Sequence, residues 1–60
     1  MRLAVLIPAR NEEARLGAVV ARVRASLPEA HLLVVDSESQ DGTAALAREL
    51  GAEVVLKVAV

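Results

Sequence analysis

The sequence predicts an α/β fold: a βαβαβ unit whose three-stranded parallel sheet carries both helices on one face. Three observations predict it. Uninterrupted apolar runs at residues 3–7, 32–35 and 54–56 have the length of buried strands. The two intervals between them carry helix-period apolar residues with capping residues ahead of them. Strands that alternate with single helices pair in parallel through right-handed crossovers.

The first strand runs over Leu3, Ala4, Val5, Leu6 and Ile7 and is stopped by Pro8. Asn11 then caps a helix whose first turn holds Glu12 and Glu13, carboxylates that suit the positive end of the helix dipole. Leu16, Val19, Val20, Val23 and Leu27 form its apolar stripe, Arg22 and Arg24 lie towards its negative end, and Pro28 closes it. The second strand, 32–35, ends at Asp36. The polar stretch 37–42 is a loop in which Asp41 or Ser39 caps a second helix with a narrow stripe of Leu46, Ala47 and Leu50. Gly51 suits the left-handed residue that ends a helix, and the third strand begins at Val54 and extends towards Val60.

Sixty residues make one domain at most, over 1–60, and a chain of this size buries only about 60% of its unfolded surface. With no cysteine and no aromatic residue, the core must come from 12 Ala, 10 Val and 9 Leu. Zero Cys and a lone His exclude a zinc module and a disulfide scaffold. Seven basic against eight acidic residues, with no aromatic to stack a base, argue against a nucleic-acid partner. No apolar run approaches the ~20 residues of a membrane span, and the first run is too short for a secretory signal. A cytoplasmic location is the expectation.

The strands are apolar at consecutive positions, which signals burial on both faces. Two crossovers of the same hand put both helices on one face, so the other lacks a cover within these residues. A homo-oligomer is therefore expected of a complete chain.

Ligands of open parallel sheets bind beyond the carboxyl ends of the strands. Two segments belong there: Pro8, Ala9, Arg10, Asn11 and Glu12 after the first strand, and Asp36, Ser37, Glu38 and Ser39 after the second. The glycines at 17, 42 and 51 match neither the dinucleotide fingerprint nor the P-loop, so a diphosphate would need a cation or the planar fork of Arg10. Asp36 is placed to accept from a nucleobase or ribose, with Glu12 facing it from the neighbouring loop. A plainer account stands beside this one: Asn11 and Glu12 as cap and first-turn acid, Asp36 as a cap of its own loop. Two nearby acids, Asp36 and Glu38, have the hard oxygens of an Mg²⁺ or Mn²⁺ site but such loop acids are more often solvated, and His31 at the far end of its strand makes no triad with Ser37.

The segment 5–13, VLIPARNEE, resembles the opening of the family-2 glycosyltransferases, whose first strand ends in I-P-x-x-N-E. The segment 33–43, LVVDSESQDGT, resembles their V-V-D-[DS]-G-S-x-D-G-T stretch, and the resemblance covers residues 2 to about 56. The Asp36–Ser37 variant is similar to the glucosyl-3-phosphoglycerate synthase-like branch. The resemblance implies a GT-A, Rossmann-like fold, a UDP- or GDP-linked nucleotide-sugar donor and a divalent cation, Mg²⁺ or Mn²⁺. It assigns nucleotide contacts to Pro8, Ala9, Arg10, Glu12, Asp36 and Ser37. Ser37 stands where many relatives have a second aspartate, and Glu38 replaces the usual glycine. The family's metal-binding D-x-D, acceptor site and catalytic base belong to later segments, so these residues supply the nucleoside half of a transferase and no transferase activity. The alternative is a non-catalytic, self-associating α/β remnant without a ligand site.

Overall fold

A computed structural model describes residues 3–58. Its elements follow in the order β1 (Ala4–Ala9), α1 (Glu13–Ser26), β2 (His31–Ser37), α2 (Thr43–Glu49) and β3 (Glu53–Lys57). The strands form one parallel sheet in the order β1-β2-β3. Ile7, Val34 and Val54 stand in one row across it, and Ala9, Asp36 and Leu56 form the next row towards the carboxyl end. The predicted βαβαβ architecture is what the chain adopts.

One face of the sheet holds the core. Ile7, Ala9, Leu32 and Val34 from the strands cluster with Leu16 and Val20 of α1 and Ala47 of α2, so both helices cover the same face. Burial alternates along β1 and β2 as a two-residue period requires, and the opposite row stays open. On that open face Leu6 is 63% and Val55 44% exposed, flanked by half-buried Leu33 and Val35. The uncovered second face inferred from the consecutive apolar residues is therefore present.

Several boundaries differ from expectation. Pro8 lies inside β1 rather than ending it, which is tolerated because β1 is an edge strand, where alternate amides have no ladder partner. β2 runs from His31 to Ser37, so Ser37 is a strand residue and not the first of a loop. In α1 the stripe is narrower than the sequence period suggests: Leu16 and Val20 are buried, whereas Val19 and Leu27 are well exposed. Leu27 is the C-cap, where φ of −135° leaves the helical path. α2 ends as expected at Gly51, whose φ of +84° releases the amides of Gly51 and Ala52 onto the last carbonyls, those of Arg48 and Ala47. β3 stops at Lys57, and Val60 lies outside the described residues. Among the described residues no helix is long and apolar enough to cross a membrane.

Candidate functional site at the carboxyl ends of the strands

Each strand end feeds a helix start, and the two starts lie side by side. Four backbone amides at a helix N-terminus lack intrahelical acceptors. Here the two loops satisfy many of them for each other. Asn11 N–H donates to Ser39 Oγ (2.8 Å), Glu12 N–H to Thr43 Oγ1 (3.0 Å) and Glu13 N–H to Asp41 Oδ2 (3.2 Å). In return Gln40 N–H donates to Asn11 Oδ1 (2.7 Å) and Gly42 N–H to Glu13 Oε1 (3.0 Å). Two carboxylates, Glu13 and Asp41, thus sit at the positive ends of both helices. Gly42 permits the close approach: a Cβ there would lie 2.6 Å from Glu13 Oε2.

This latch corrects the expected caps. Asn11 is not the cap of α1; its backbone turns left-handed at φ +51°, and Glu12 takes the cap position without a capping side chain. Asn11 spends its side chain on the other loop instead. Asp41 does cap α2, accepting from Thr43 N–H (2.9 Å) and from the Thr43 hydroxyl, although Gly42 occupies the cap position itself. Thr43, the last residue of the D-G-T stretch, is fully buried, and no periodic signal marks it as such.

The Thr43 hydroxyl, helped by the amides of Thr43 and Glu13 and opposed by desolvation, holds the Asp41 carboxyl below its ordinary range. A depressed folded-state value means that the carboxylate's contribution is complete above the unfolded value of about 3.9 and is lost as pH falls through the lower folded value. Acid melting curves should therefore show wild type losing thermal midpoint below about pH 4. Asp41→Asn, which keeps an acceptor for Thr43 but offers an N–H₂ to Glu13, should start lower at pH 7 and fall less over that window. Parallel curves for the two proteins would remove Asp41 from the latch.

The six nucleotide-contact candidates separate. Ala9 and Asp36 are neighbours in the sheet register and both face the helix layer, buried. Pro8 and Ser37 occupy the alternate positions, Pro8 exposed and Ser37 half-buried. Arg10 is exposed. Glu12 does not turn to Asp36: its carboxylate is held by Arg15, with Nε–Oε2 2.8 Å and Nη2–Oε1 2.9 Å. Asp36, 3% exposed, takes the Ser39 hydroxyl on Oδ1. Among the described residues no buried side-chain oxygen is without a partner. Glu38 does take a left-handed conformation, φ +53°, where the related motif has glycine. A side chain in that region costs roughly 1–2 kcal/mol, so the loop keeps its path at an energetic cost.

The sequence pattern of the family described as glycosyl transferase family 2 matches residues 4–58. The chain belongs to this family. It is 51% identical over 49 residues to a polyprenol monophosphomannose synthase of Mycolicibacterium smegmatis, covering 82% of this chain and 18% of that protein. It is 42% identical over 52 residues to a 4,4'-diaponeurosporenoate glycosyltransferase of Staphylococcus haemolyticus, covering 87% of this chain and 14% of that one. Protein RfbJ of Shigella flexneri is 36% identical over 52 residues, 87% of this chain and 40% of its own. The chain thus spans less than a fifth of the length of the first two relatives. No solved structure matches it significantly.

Within the family-2 motifs, the latch residues Asn11, Ser39, Asp41, Gly42 and Thr43 are at least as well represented as the nucleotide-contact candidates. Much of what makes those motifs recognisable is here the hydrogen bonding that joins two helix starts. A resident cation does not fit these residues alone. Among the described residues no three carboxylate, histidine or cysteine side chains come together, and Glu12, Glu13 and Asp41 are already bound to protein donors.

Proposed function

We propose that this chain is the nucleoside-binding part of a nucleotide-sugar donor site, with Asp36 as its base- or ribose-facing acceptor. The observation that carries the reading is the position of Asp36 at the carboxyl edge of a parallel sheet, in a segment that the family pattern matches from residue 4 to 58. The relatives support the donor side in particular. Two proteins whose names give different products, a polyprenol monophosphomannose and a diaponeurosporenoate glycoside, share this same segment. What enzymes with different acceptors have in common is the recognition of an activated sugar.

In this reading Ala9 forms a wall against the nucleoside, Pro8 and Ser37 border it from the open sheet face, and Arg10 supplies an exposed guanidinium for a diphosphate. Glu12 contributes backbone and a neutralised carboxylate rather than a free acceptor. These residues bind and orient a donor; they hold no base for an acceptor hydroxyl, so the 60-residue chain binds without transferring. Calorimetry with UDP, GDP, UDP-glucose and GDP-mannose, each with and without Mn²⁺, tests this. Saturable binding that weakens at least about tenfold in Asp36→Ala is expected, as for loss of a hydrogen bond to a charged group. Absence of saturable heat at millimolar ligand overturns the binding, and turnover of any nucleotide-sugar overturns the inactivity.

The open apolar face favours a second reading, a self-associating α/β unit without a ligand site.

A further inference from the structure

We propose that Asp41–Gly42 is a site of isoaspartate formation that the folded chain keeps closed, with Glu13 as the residue that guards it. Aspartate before glycine gives this rearrangement its least steric resistance, since glycine sets no side chain beside the attacking nitrogen. The Gly42 nitrogen gives up its hydrogen and bonds to Asp41 Cγ, and the carboxyl loses a hydroxyl, so that one water leaves. The five-membered succinimide then takes one water back at either carbonyl. Opening at one restores aspartate; opening at the other carries the backbone through Cγ as isoaspartate. The composition is unchanged and no oxidant or cofactor takes part.

Both reacting groups are engaged elsewhere, and Glu13 engages each of them. The Gly42 N–H, which must be shed, is donated to Glu13 Oε1 at 3.0 Å. A carboxylate in that place also opposes the negative charge that the nitrogen would gain. The Asp41 carboxyl reacts as the protonated acid, yet both of its oxygens accept hydrogen bonds. Oδ2 takes the Glu13 amide at 3.2 Å, and Oδ1 takes the Thr43 amide at 2.9 Å together with the Thr43 hydroxyl. Such bonds favour the ionised carboxylate, a poor electrophile, and hold it towards α1 and Thr43 rather than the Gly42 nitrogen. One residue of α1 thus restrains nucleophile and electrophile on the other loop, its side chain holding one and its amide the other. Isoaspartate would add a methylene to the backbone between 41 and 42 and move the carboxylate. The latch could not close again.

The test follows isoaspartate at position 41 by peptide mapping and mass spectrometry of the whole chain, kept at neutral pH and physiological temperature. Glu13→Asp keeps the first-turn acid but cannot reach the Gly42 amide, whereas Glu13→Gln keeps the reach and the acceptor without the charge. Glu13→Asp should isomerise at least about tenfold faster than wild type, as for loss of a hydrogen bond to a charged group, and Glu13→Gln within about threefold of it. Equal rates in all three proteins, or a fast Gln beside a slow Asp variant, overturn the guarding role of Glu13. A second measurement needs no variant. In wild type, urea below the unfolding midpoint should raise the isomerisation rate and the Gly42 amide exchange rate by the same factor, because both wait on one opening. Isomerisation in the folded wild type as fast as in the urea-unfolded chain overturns the proposal, and so does a rise in one rate without the other.

Discussion

Leu16→Ala is expected to cost about 2–5 kcal/mol and to leave the chain without a cooperative thermal transition. Leu16 is 1% exposed and stands in the first turns of α1, against the one covered face of the sheet. A 60-residue domain has in total about 3–9 kcal/mol to lose, at 0.05–0.15 kcal/mol per residue. The cavity would not close easily, because Ala9 and Ala47 in the same cluster are too small to swing into it, and no aromatic ring is available. Val19→Ala, three positions along the same helix but 40% exposed, provides the contrast and should change stability by about 0.5 kcal/mol or less. Thermal melts followed by circular dichroism measure both. If Leu16→Ala unfolds within about 1 kcal/mol of wild type, the core does not sit where the cluster places it.

The difference between those two residues also marks how far the sequence could be read. Period and strand length were enough for the element order, the parallel sheet, the shared helix face and the bare opposite face, because these follow from patterning and chain chirality. Val19 was legible as helical but not as exposed, since a stripe of five residues is wider than the contact that two helices and three short strands can offer. The site was legible in location and only partly in chemistry. A strand-end Asp36 is predictable from topology. That its partner is Ser39, that Glu12 belongs to Arg15, and that Asn11 reaches across to Gln40 depend on which amides each loop leaves unpaired. Those unpaired amides arise from two left-handed residues, Asn11 and Glu38, neither of which is the glycine that would have signalled the turn.

Wild-type chain at micromolar concentration should sediment as a dimer or larger, and Leu6→Glu combined with Val55→Lys should return it to a folded monomer. Leu6 pairs with Leu33 in the register, Pro8 with Val35, and Val35 with Val55, so these side chains make a contiguous apolar surface on the open face. His31 and Glu53, joined at 3.0 Å towards the amino end, give that surface a polar rim. Both substitutions lie opposite the core, so the double variant should keep its melting behaviour while losing its mass. Asp36 faces the helix layer, away from the altered positions, and nucleotide binding in the monomeric variant therefore separates the two readings. Binding retained there supports a donor site that does not need the second copy. A wild-type chain that is already a folded monomer at micromolar concentration removes self-association from the account altogether.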